Sequence, residues 1–243
     1  MVHVTVPSAI QSGRNVIMTC EYELEEDTIY QVKWYKGRRE FFRFTPKEIP
    51  SIKTFPLPGV QVDVESSNAS RIVLQKVKPN ISAKYSCEVS ADFPSFHTQI
   101  ASGELQVVEF PEENPTIADV KPYYSIGENL EANCTSNSSI PPARLEWWIN
   151  DLPVYNAEYT IKYKPIADPV TNRETSILGL RLPLTNEHFY RARVKLQCVA
   201  KIYDIYEKDV TKYIEEFYPQ ILANVNGDNG GVHFSFISDR DAA

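Results

Sequence analysis

The cysteines are the residues best placed to form a covalent link, and their spacing decides its kind. Cys20, Cys87, Cys134 and Cys198 never come as C-x-x-C and none has a histidine beside it, so neither a zinc site nor a dithiol redox centre fits. Four cysteines allow three pairings. Only Cys20–Cys87 with Cys134–Cys198 places one bridge around each of two tryptophans, Trp34 and Trp147. In the chain-entropy view each closed loop contributes about 4 kcal/mol. Paired structural disulfides imply an oxidising compartment.

Catalysis has no comparable support. His3, His97, His188 and His233 fall in different segments, and no G-x-S-x-G, H-E-x-x-H or phosphate-loop sequence occurs. Glu112-Glu113 reads as solvated charge in a proline-bearing stretch. The expectation is a chain that is no enzyme and has no metal site and no cofactor. A different modification is indicated by four N-x-[ST] sequons, at Asn68, Asn80, Asn133 and Asn137. These are expected to carry N-linked glycans, with Asn133 facing outward because its neighbour Cys134 faces inward.

The elements that position these residues follow from period-two alternation. Val16, Met18, Cys20 and Tyr22 share one strand face, as do Val32 and Trp34 on the next strand. Tyr85, Cys87 and Val89 share a face of a third strand. A cysteine pair packed on a tryptophan, with a tyrosine two residues before the second cysteine, is the immunoglobulin signature of strands B, C and F. The pattern recurs at Cys134, Trp147 and Cys198, with Leu196 where the tyrosine would stand. The fold class is therefore all-β, two tandem Ig-like sandwiches with one B–F disulfide each. The first is of variable type, since Glu40-Phe-Phe-Arg-Phe44 supplies a strand C′. Expected spans are 1–109 and 110–224, with a flexible tail, stalk or cloning remnant at 225–243. Val60, Val62 and Val64 are expected as strand D, and Leu105–Val108 as strand G. Thr45–Gly59, broken by prolines, is expected as an extended connection rather than sheet. Phe110–Pro115 is a short, proline-bearing and semi-rigid link.

Composition sets bounds on partners. Hydrophobic residues make up 42% of the chain, which is ordinary for globular domains. A formal net charge of −7 and a pI near 5.2 argue against nucleic acid and against an anionic membrane surface. No run of eighteen apolar residues exists to insert into a bilayer. Met1-Val-His-Val lacks a basic segment followed by an apolar one, so the expectation is a mature or recombinant ectodomain, extracellular despite the missing leader.

Alternation also assigns an outer face to the front sheet of the first unit. Lys33 and Tyr35 point out on strand C, and Ser86 and Glu88 on strand F. Strand C′ has three phenylalanines in four positions. Phe42 and Phe44 are assigned to the core, leaving Phe41 and Arg43 outside beside Tyr35. Phe93, Phe96 and His97 sit at the F–G loop. Exposed aromatics with arginine have the composition of protein-interface hot spots; the competing assignment is that these rings cover the core edge. Trp148 is a further exposed candidate, since Trp147 takes the inward place, with packing against the link between domains as the favoured role.

The segments Val32-Lys-Trp-Tyr-Lys-Gly-Arg-Arg-Glu-Phe-Phe-Arg-Phe44 and Phe55-Pro-Leu-Pro-Gly-Val60 resemble the Beaten path (Beat) family of neuronal Ig proteins. Tyr85-Ser-Cys-Glu-Val-Ser-Ala-Asp-Phe-Pro-Ser-Phe96, Ala132–Ser136 and Pro141-Pro-Ala-Arg-Leu-Glu-Trp-Trp-Ile-Asn150 are also similar to that family, and the resemblance runs to about Tyr218. It implies a secreted or cell-surface receptor that binds a Sidestep-family Ig protein heterophilically, guiding axons and choosing synaptic partners, with the first domain as the contact. Two alternatives stand beside it. One is a ligand site at the tip loops, Glu23–Asp27 and Asp92–Phe96. The other is homophilic pairing of the same front sheet.

Overall fold

The computed structural model describes residues 1–24 and 27–218, together with the backbone of strands 221–224 and 233–236. Glu25 and Glu26 of the acidic B–C loop lie outside the described residues, as do 225–232 and 237–243 of the expected tail.

The first unit contains β1 (Val2–Thr5), β2 (Ala9–Gln11), β3 (Val16–Tyr22), β4 (Ile29–Lys36) and β5 (Arg39–Phe44). It continues with β6 (Ile52–Thr54), β7 (Arg71–Leu74), β8 (Ala83–Ala91) and β9 (Thr98–Val108). The back sheet has the order β1-β3-β7 and the front sheet β2-β9-β8-β4-β5-β6. Pro7 separates β1 from β2, and the chain changes sheets there. β1 runs antiparallel to β3, while β2 runs parallel to β9. Gly103 permits the crossing: a Cβ there would stand 2.8 Å from the Cβ of Val6.

Between the sheets lie Met18, Cys20, Val32, Trp34, Leu74, Tyr85 and Cys87, all buried around the Cys20–Cys87 disulfide. The Tyr85 hydroxyl donates to the Ile81 carbonyl at 2.8 Å, tying strand F to the 3-10 turn Pro79–Ile81. This is the tyrosine corner.

Three expectations change. The Thr45–Gly59 connection contains β6, which pairs with β5 as a C″ strand. Val60–Val64 forms no strand; it contributes only isolated bridges, Leu57 with Val60 and Val62 with Leu74. Strand G is longer than Leu105–Val108, because β9 begins at Thr98.

The second unit places β10 (Thr116–Ala118), β11 (Tyr123–Tyr124), β12 (Asn129–Ser139), β13 (Arg144–Ile149) and β14 (Leu152–Pro153) in its first half. Then come β15 (Thr160–Lys162), β16 (Ile166–Ala167), β17 (Glu174–Pro183), β18 (Arg193–Ile202) and β19 (Tyr206–Glu216). One sheet has the order β10-β12-β17-β15, with β16 also on β17; the other is β11-β19-β18-β13-β14. Trp147 and the Cys134–Cys198 disulfide are buried between them with Leu130, Leu180, Leu196 and Ile214. β20 (Ile221–Asn224) pairs with β21 (His233–Phe236) in a two-stranded sheet of their own.

A third, smaller core joins the units: Ala9 and Val108 pack with Ala143, Ala200, Ile202 and Tyr206. The Phe110 ring lies 5.1 Å from that of Tyr206. Glu109 and Ile140 exchange two backbone hydrogen bonds, and Arg173 ion-pairs with both Glu109 and Glu112. Trp148 is half-buried on β13, opposite Pro153 and Gln197 rather than in this joint.

Candidate protein-recognition face

The outer face of the front sheet is assembled by register. Ile100, Glu88, Lys33, Arg43 and Lys53 lie directly opposite one another across β9, β8, β4, β5 and β6. The adjacent row is Ser102, Ser86, Tyr35 and Glu40. Ser86 and Ser102 share a hydroxyl hydrogen bond at 2.8 Å.

Charge in these rows is internally matched. Lys33 Nζ lies 3.5 Å from Glu88. Arg43 donates twice to Glu40, at 2.7 and 3.0 Å, and its guanidinium covers the Phe55 ring at 5.5 Å. Lys53 pairs with Glu48. Burial pushes the Tyr35 hydroxyl up to about 12, and the carboxylates of Glu88 and Glu40 push in the same direction. Tyr35 is thus a neutral, half-buried hydroxyl between two acids, held in place before any partner arrives.

Phe41 is not part of this face. It is fully buried, contrary to the expectation that it lies outside on strand C′. The β4–β5 register slips between Trp34 and Tyr35: Trp34 faces Phe42, and Tyr35 faces Glu40. The extra residue is Phe41, and a β-bulge suspends the period-two rule, so consecutive Phe41 and Phe42 both enter the core. Phe44, expected inside, is only half-buried against that core.

At the F–G end, Phe93 is 74% and Phe96 67% exposed, their rings 6.1 Å apart at 74°. Asp92 anchors the loop. Its carboxylate pairs with Lys47 and accepts the Phe93 N–H at 2.8 Å, and these hold its pKa below the usual range, Lys47 most. His97 is exposed, with a ring nitrogen 3.2 Å from the Gln99 amide. Ile100, which is 61% exposed at the β9 end of this row, and Phe55 beneath Arg43 are not among the residues assigned to the face from sequence. Extending the alternation of strand G backward from Leu105 would have placed Ile100 outward.

The sequons fall elsewhere. No strand of the front sheet carries one. Asn68 and Asn80 are exposed on turns; Asn133 and Asn137 lie on β12. Asn137 is exposed, whereas Asn133 is half-buried and its Nδ2 donates to Asp119 at 2.8 Å. Among the described residues, no cluster of three or more His, Cys, Asp or Glu could hold a metal ion, and no helix is long and apolar enough to cross a membrane.

No family model matches the sequence. Among solved structures, the chain is similar to murine CEACAM1b, at 18% identity and a TM-score of 0.60, over 88% of this chain and 100% of that one. It is also similar to a chain from the crystal structure of mouse coronavirus receptor-binding domain complexed with its murine receptor. That likeness has 16% identity and a TM-score of 0.59, over 88% of this chain and 98% of the other. At these identities the likeness is one of fold, and the fold is two tandem immunoglobulin-like sandwiches, the first of variable type, each closed by one disulfide.

Proposed function

We propose that this chain is an extracellular recognition protein that binds another protein through the front sheet of its first domain. The observation that carries the reading is the exposed set Ile100, Phe55, Phe93 and Phe96 around the ordered Tyr35–Glu88–Lys33 and Arg43–Glu40 groups, on a sheet whose strands carry no sequon. An apolar rim around preorganised polar groups lowers the side-chain entropy lost on binding. Arginine and aromatic rings are the usual anchors of such interfaces.

The partner is a Sidestep-type Ig protein and the role is axon guidance and synaptic partner choice; the support is the Beat resemblance of strands C–C′ and the F–G segment. The test is a binding screen of the glycosylated ectodomain against neuronal Ig ectodomains, including Sidestep-type proteins and the chain itself. Selective heterophilic binding that is lost in Tyr35→Ala/Ile100→Asp is the expected result. Binding that survives this pair but falls in Phe93→Ala/Phe96→Ala would move the site to the tip loops, and self-binding would make the face homophilic.

A further inference from the structure

A second charged surface lies at the opposite end of the first domain, near its joint with the second. The β4–β5 turn carries Arg38 and Arg39, both exposed, with Lys36 at its base. Gly37 donates its N–H to the Lys84 carbonyl at 2.8 Å, which places Lys84 against this turn. Lys36 Nζ donates to the Asn80 carbonyl at 3.0 Å, joining the turn to Pro79–Ile81 and so to Lys78. From there, Val77 donates to the Arg14 carbonyl at 2.9 Å, and Lys76 N–H to the Asn15 side chain at 2.9 Å. Hydrogen bonds thus bring seven cations, on adjoining turns and at the strand ends Lys36, Arg39 and Lys84, to one end of the domain.

Among the described residues, none of the seven closes an ion pair, although Lys33, Arg43, Lys47 and Lys53 of the same domain all do. Glu104 lies opposite Lys84 in the register without pairing with it. Burial lowers the Lys36 pKa, so its charge is carried against a desolvation cost that no neighbouring carboxylate offsets. Like charges gathered this way are not required by the fold and repel one another. In a chain of net charge −7, such a concentration selects a ligand by sign.

The turns also bear no large exposed hydrophobic side chain. That separates them from the front sheet and from the anchors of protein interfaces. The disulfides restrict the setting to oxidising compartments, where nucleic acid is not the expected polyanion.

We infer that this end of the first domain binds a sulfated polysaccharide chain, its sulfates distributed over the Arg38–Arg39, Lys36–Lys84 and Lys78–Arg14–Lys76 turns. The contact is electrostatic, so it weakens with added salt as counterions return to the chain.

The test is retention of the whole glycosylated chain on immobilised heparin, with affinity measured against sodium chloride concentration. Wild-type protein is expected to be retained at about 0.15 M salt, where the screening length is about 8 Å. Arg38→Glu/Arg39→Glu/Lys84→Glu is expected to lose affinity at least about tenfold and to show a shallower salt dependence. The control Lys47→Glu/Lys53→Glu, and the front-sheet pair Tyr35→Ala/Ile100→Asp, are expected to bind as wild type. Asn80→Gln, which removes the sequon among the cations, should keep the same dependence. If the charge-reversed chain fails to fold, Arg38→Gln/Arg39→Gln/Lys84→Gln carries the test. Absence of wild-type retention, an equal loss in the Lys47/Lys53 control, or equal binding to poly-glutamate or to phosphatidylserine vesicles would overturn the inference. The front-sheet proposal stands or falls separately, because its variants leave these cations in place.

Discussion

The Phe41 ring meets the Tyr85 ring edge-on, with centroids 5.9 Å apart and planes at 87°. Tyr85 is fixed by its own hydrogen bond to Ile81, so the bulge that turns Phe41 inward has a rigid aromatic wall to pack against. Phe41→Ala is therefore expected to cost about 3–5 kcal/mol of stability, the range for a buried phenylalanine. Tyr85→Phe is expected to cost about 1–3 kcal/mol, since it strands the Ile81 carbonyl. Phe55→Ala on the outer face should cost far less than either. Urea denaturation of the three variants checks the order; a surface-like effect of Phe41→Ala would contradict its burial.

Tyr35 makes stability depend on alkaline pH. Its folded pKa, about 12, lies above the unfolded value near 10. A group raised on folding contributes stability that is fully present below its unfolded pKa and is lost as pH rises through the folded one. Stability should hold up to about pH 10 and fall from there toward 12. Tyr35→Phe should flatten part of that fall, and the tyrosinate absorbance of Tyr35 should appear late in a spectrophotometric titration.

The joint between domains contains two kinds of contact, which should separate by mutation. Arg173→Ala removes the pairs with Glu109 and Glu112, which are partly exposed and worth about 0–1 kcal/mol each. Phe110→Ala removes a ring packed on Tyr206. The first is expected to leave the melting of both domains nearly unchanged, and the second to broaden the distribution of inter-domain distances measured by small-angle scattering. A larger scattering change from Arg173→Ala would reverse the ranking.

Peptide mapping of the protein expressed through a eukaryotic secretory pathway should find the sequons unequal. Asn68 and Asn137 are exposed, while the Asn133 amide is already spent on Asp119 and its oxygen would lie 3.2 Å from a Cβ on Gly179. Glycan is expected on Asn68 and Asn137 and absent from Asn133. Full occupancy at Asn133 would show that the Asp119 contact gives way to the sugar.

Much of this molecule was legible as a period of two. Cys20, Trp34, Tyr85 and Cys87 alternate with polar neighbours, so both disulfides, both sandwiches and the outward Lys33, Tyr35 and Glu88 followed from sequence. The alternation misled at strand C′, where the backbone abandons it. The bulge beside Tyr35 adds one residue, and Phe41 changes sides with no local signal beyond two adjacent phenylalanines. β6 hides among prolines because three residues pair there through backbone groups, which side-chain pattern does not report. The valines at 60, 62 and 64 alternate like a strand yet form only isolated bridges, since a period of two describes side-chain direction and not the presence of a partner. The basic end of the first domain was visible only as the short Lys36–Arg39 turn; its other cations come from distant segments.

The passage of the first strand from one sheet to the other has a mechanical consequence. β2, near the start of its domain, runs parallel to β9 at that domain's end, and β11 stands in the same relation to β19 in the second. Tension between the ends of either domain loads these backbone bonds along the strands, in shear, so that they must fail together rather than unzip singly. A molecule stretched between two moving surfaces would carry that load in shear through Ala9–Gln11 and Tyr123–Tyr124.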